Sequence, residues 1–103
     1  MTFEGEIFDS FKAAREHIIG EGDSFQYYNP KTGRPIKKIK NYNSVILYSH
    51  NDHFGYKGLL LIRKRPPGHK GVIVTNELFD QEGNMSFNDM WEAMMMYVSY
   101  PTL

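Results

Sequence analysis

Cysteine is missing from the chain altogether, so no disulfide staples it and no thiolate ligates a metal or attacks a substrate. Long apolar runs are missing too. Stretches such as LLLI at 59–62 and MMMY at 94–97 fall far short of the roughly twenty residues a membrane span needs. The first residues, MTFEGEIFDS, are acidic and lack the basic-then-apolar pattern of a secretory leader. Together these absences set the expectation of a cytoplasmic protein with no membrane partner.

Acidic residues are scarce in one place only. Between residues 31 and 70 a single acid, Asp52, faces ten lysines and arginines. The flanks hold the other eleven acids and only Lys12 and Arg15 as counterweight. A formal net charge of zero therefore hides two blocks of opposite sign. A field acts locally, within a Debye length of about 8 Å at physiological salt, so this layout carries more information than the sum.

Catalytic signatures are absent as well. No G-x-x-x-x-G-K-[ST] phosphate cradle and no G-x-S-x-G nucleophile elbow occurs. GEG at 20–22 follows a helical pattern rather than a strand, which rules out a dinucleotide fingerprint. DQEGNMS at 80–86 spaces its oxygens like a calcium loop. Its glycine falls fourth rather than sixth, however, and the twelfth position is Trp91 where a glutamate is needed, so it reads as a turn.

The 103 residues suit one domain, 1–103. Residues 9–20 read as a helix, with Asp9 or Ser10 as N-cap and Phe8, Phe11, Ala14, Arg15, Ile18 and Ile19 at helical spacing. Gly20 is expected in the left-handed position that ends it. SFQYY at 24–28, a Pro30/Gly33 turn and IKKIK at 36–40 make a hairpin with a basic second arm. SVILYSH, YKGLLLIRKR and GVIVTN follow as three more strands, the first two apolar enough to be covered on most of both faces. PPGHK at 66–70 is a loop, because two prolines cannot sit within a sheet ladder. A second helix starts at Ser86, with Asp89 three residues on and Met85/Met90 placed as a hydrophobic staple. The fold class expected is α+β: an antiparallel meander sheet of about five strands flanked by an N-terminal and a C-terminal helix. Both helices are expected on one face.

Three groups of residues carry functional expectations. The first is the basic centre. Lys37, Lys38, Lys40, Arg63, Lys64, Arg65 and Lys70 can neutralise phosphates, while Tyr28 and Tyr42 offer rings for unpaired bases. The competing explanation is that edge lysines block strand-to-strand aggregation and that the tyrosines are core. The second is the methionine helix. Trp91, Met94, Met95 and Val98 share one face, which leaves Met96, Tyr97 and Tyr100 for a protein partner or a second copy. The third is SHNDHF, where His50, Asp52 and His53 could hold a divalent metal or activate water in a nuclease or hydrolase. A polar turn satisfying its own backbone explains the same residues. His17 and His69 have no evident partner in the sequence. The sequence thus points to a small regulatory binding protein rather than an enzyme. No catalytic residue, resident metal or cofactor is assigned, and nucleic acid or another polyanion is the first partner.

Overall fold

The computed structural model describes residues 2–98. Its elements in chain order are β1 (Ile7–Phe8), α1 (Phe11–Ile18), β2 (Asp23–Tyr28), β3 (Pro35–Ile36), β4 (Ser44–Asn51), β5 (Lys57–Lys64), β6 (Val72–Asp80) and α2 (Phe87–Tyr97). The strands form one six-stranded sheet in the order β1-β6-β5-β4-β2-β3, with every pairing antiparallel. The fold is α+β, as the sequence indicates, with a helix near each end of the chain.

Both helices begin where a serine caps them. Ser10 Oγ accepts from the Ala13 N–H at 3.0 Å, and Ser86 Oγ accepts from the Asp89 N–H at 3.1 Å. Each bond satisfies one of the N–H groups a helix start leaves without an intrahelical partner. Met85 and Met90 do share a core cluster beneath the start of α2. The end of α1 differs from expectation. Ile19 is the extended residue there, and Gly20 is not left-handed; that conformation falls on Gly22, at φ 83°. Gly20 instead donates its N–H to the Asp23 carboxylate at 2.9 Å.

The helices lie on opposite faces of the sheet, not on one. Val45, Leu47, Leu60 and Ile62 cluster with Phe11 and Ala14 of α1. Ile46, Leu59 and Leu61 cluster with Met90 and Met94 of α2. The cause is the two-sided apolar character of β4 and β5. Successive side chains alternate across a strand, so one helix would have left half of these residues in water. Fully burying each leucine or isoleucine contributes about 1.5–3 kcal/mol.

Two further departures concern the rims. Of the expected IKKIK arm only Ile36, with Pro35 before it, is strand. β2 rather than β3 lies beside β4, so the chain loops back past β2 between Lys37 and Asn43. At the far rim the N-terminal segment runs along β6 from Val72 to Glu77. Ile7 and Phe8 pair with Ile73 and Val72, and Gly5 N–H donates to Val74 C=O at 2.8 Å. The Glu77 carboxylate accepts from the Phe3 N–H at 2.8 Å and from the Thr2 hydroxyl.

Candidate functional site

Strand register gathers most of the basic loops at one end of the sheet, while Lys57 of the basic block falls at the other end and Asp9 of the acidic flank stays beside Lys64 and Arg65. Tyr28 pairs with Ile46 and Pro35, Ser44 with Arg63, and Lys64 with Val72. These strand ends therefore lie together. The loops leaving them carry Lys31, Arg34, Lys38, Lys40, Arg65 and Lys70. At the opposite end Asp23 pairs with Asn51 and Lys57 with Asp80. The turns there carry Glu21, Asp52 and Glu82. The seven steps of an eight-residue strand, at about 3.3 Å each, put roughly 23 Å between the ends. That is about three Debye lengths at physiological salt, so each end acts as its own field.

Within the basic end, the pleat separates neighbours. Arg63 lies beside Ser44 and Ile73 on the α2 face, whereas Lys64 faces α1. Lys64 lines a shallow cleft with Asp9, Ser10, Arg65 and His69. The 65–71 loop is tied to itself: Arg65 N–H donates to Gly71 C=O at 3.1 Å, His69 N–H to Pro66 C=O at 3.0 Å, and Arg65 Nη1 to Lys70 C=O at 3.3 Å. Lys38, Lys40, Lys64 and Lys70 are exposed. Lys37 is exposed too and turns toward α1 rather than toward the other loops.

The two tyrosines do not form one platform. Tyr28 packs on Phe87 and Trp91, with ring centroids 4.8 and 5.9 Å away, on the α2 face. Tyr42 packs against the cluster beneath α1. On α2, Met90, Met94 and Val98 are buried, Trp91 and Met95 half-buried. Met96 and Tyr97 are 85% and 75% exposed. Tyr100 lies outside the described residues.

The histidine turn is held by groups that have nothing to do with a metal. Asn51 Oδ1 accepts from the Phe54 N–H at 2.8 Å, and Asn51 Nδ2 donates to Asp23 at 2.6 Å. Tyr56 Oη donates to the same carboxylate at 3.0 Å. Burial, and then that bond to Asp23, raise the Tyr56 phenol above its ordinary pKa. His50 Nδ1 stands 3.3 Å from Asp52, while the His53 ring lies against Phe54, centroids 4.8 Å apart. Among the described residues no three His, Cys, Asp or Glu side chains converge on a metal position. DQEGNMS is a turn, as read. The Asp80 carboxylate accepts from the N–H groups of Gly83 and Met85 at 3.0 and 2.7 Å. Those bonds hold its pKa below the ordinary value.

Sequence reasoning missed a second group of cations. Lys12 and Arg15 on α1 and Lys37 after β3 meet across a groove floored by Tyr27 and Ile36 and edged by Phe25. The Arg15 guanidinium sits 4.5 Å over the Phe25 ring. The only signal was the three-residue spacing of Lys12 and Arg15 on the helix. Their meeting with Lys37 depends on tertiary packing.

No family model, no curated protein and no solved structure matches the chain. No helix among the described residues is long and apolar enough to cross a membrane.

Proposed function

We propose that the protein is a small cytosolic binding protein whose basic sheet end grips the phosphate backbone of nucleic acid. The observation that carries this reading is the register, which gathers the loops of Lys31, Arg34, Lys38, Lys40, Arg65 and Lys70 at one end and the acidic turns at the other. Cations on neighbouring loops displace condensed counterions and bind without reading sequence. Tyr28 and Tyr42 are packed on opposite faces, so base stacking adds little. Duplex is then bound at least as well as single strand.

Fluorescence anisotropy of labelled duplex and single-stranded oligonucleotides across a salt series tests this. With about five phosphates engaged, log K should fall with log salt at a slope near −4 to −5. Lys38→Glu with Lys40→Glu and Lys70→Glu should remove binding, while Lys57→Gln at the far end, whose amide can still donate to the Met85 carbonyl, should not. A flat salt response, or equal loss in both variants, would sink the reading. A second reading rests on the exposure of Met96 and Tyr97, which offer α2 as a surface for a protein partner. Sedimentation at rising concentration shows whether that partner is a second copy.

A further inference from the structure

The two rims of the sheet are finished differently. The N-terminal segment follows β6 from Val72 to Glu77, whereas β3 follows β2 no further than Tyr27. The phase of β2 follows from two independent turns. Asn51 N–H donates to Tyr56 C=O at 3.0 Å, so Asn51 faces β5, and by the period of two so do Ser49, Leu47 and Val45. His50, Tyr48 and Ile46 then face β2, and their partners are Ser24, Gln26 and Tyr28. On the other side, Asn29 N–H donates to Arg34 C=O at 2.8 Å, so Asn29, Tyr27 and Phe25 face outward. Both turns give the same answer. Tyr27 has Ile36 opposite it, but β3 ends there. Phe25 therefore presents its backbone N–H and C=O on an edge that no strand of the described residues covers.

That open edge runs along the groove of Lys12, Arg15 and Lys37. Phe25 itself is 42% exposed, and Asp23 at the far end has its carboxylate occupied by Gly20, Asn51 and Tyr56. Natural sheets blunt an open edge or use it. We infer that β2 is a docking edge for an extended acidic peptide, which adds as a strand in line with β3 and places alternate carboxylates toward Lys12, Arg15 and Lys37. Main-chain bonds to Phe25 give affinity, and the cations on the α1 face select for acid at every second residue. A second copy of this chain is a poor occupant. Its own Lys12, Arg15 and Lys37 would be brought against the same cations, and like charges across a pairing repel. The site is separate from the nucleic-acid surface and stands or falls independently of it.

The test uses a labelled, end-blocked peptide, Glu-Val-Glu-Val-Glu-Val-Glu, titrated by anisotropy at low salt. Saturable binding is expected, with hydrogen exchange at the Phe25 N–H slowed in the complex. Phe25→Pro removes that outward N–H without touching the ladder to β4, since proline is tolerated on an edge; Phe25→Val keeps it. The proline variant should bind at least about tenfold more weakly than the valine variant, with both folded by circular dichroism. Lys12→Glu with Lys37→Glu, both exposed, should weaken binding to a similar degree, about tenfold. The inference is overturned by equal affinity of the proline and valine variants. Undiminished binding of a peptide N-methylated at its glutamates, whose N–H groups face β2 in this pairing, overturns it too, as does the absence of binding at low-millimolar peptide.

Discussion

Two carboxylates that the sequence presents as surface charge are structural. Asp23 takes bonds from Gly20, Asn51 and Tyr56 and so ties the end of α1 to the β4–β5 turn. Asp80 takes the Gly83 and Met85 N–H groups, and Lys57 Nζ donates to the Met85 carbonyl at 2.8 Å beside them. The turn into α2 is thus built around Asp80. Because backbone donors depress its folded pKa, Asp80 contributes stability that is fully present above the ordinary aspartate pKa of 3.8 and is lost as pH falls through the lower folded value. Asp80→Asn should therefore lower the melting temperature at neutral pH, with the gap from the parent closing as the solution is acidified below the ordinary carboxylate pKa and through the depressed folded value. Thermal melts at a series of pH values check it; a gap that widens toward acid contradicts the assignment. Neither carboxylate was legible as a structural group, because the partners lie on other elements or depend on the exact path of a turn.

At the scale of elements, what could be read was what is local. Ser10 and Ser86 announced their helices, and β4, β5 and β6 stood out as apolar runs between turn residues. β1 was not legible. Two residues, Ile7 and Phe8, set no period, and they become strand only because β6 offers an edge. The placement of the helices was present in the sequence but needed its consequence drawn. VIL at 45–47 and LLLI at 59–62 are apolar at every position, which demands cover on both faces. Neighbouring substitutions on β5 separate the two layers. Leu60→Ala opens the α1 side and Leu61→Ala the α2 side; each should cost about 2–5 kcal/mol. Trp91, the single tryptophan, packs on the cluster of Leu61. Its emission should shift in the folded Leu61→Ala protein and stay unchanged in Leu60→Ala. Equal shifts in both would mean that the layers are not independent.

For the whole molecule the decisive feature is that charge is separated along the strands. The sequence showed the basic block and the acidic flanks, but not that the loops of Lys38, Lys40, Arg65 and Lys70 meet at one end and the turns of Glu21, Asp52 and Glu82 at the other. That arises from register, and no local pattern specifies which strand ends meet. The candidate surface was therefore legible as a list of lysines and arginines and illegible as a place. The same geometry has a consequence for the protein alone. With formal charge zero and a sequence pI near 6.9, no net repulsion keeps copies apart at neutral pH. The basic end of one copy can then meet the acidic end of the next. Such a head-to-tail contact does not close, so it grows with concentration instead of stopping at a dimer. We expect weak, open-ended association in ~10 mM salt, where the Debye length reaches about 30 Å, and a monomer at 0.15 M, where it is about 8 Å. Lys38→Glu with Lys40→Glu and Lys70→Glu should abolish the low-salt association, because it removes one pole and leaves the core untouched. Light scattering against concentration at the two salts decides it. Association that survives 0.15 M salt, or that persists in this triple variant, would assign it instead to an apolar surface such as Met96 and Tyr97.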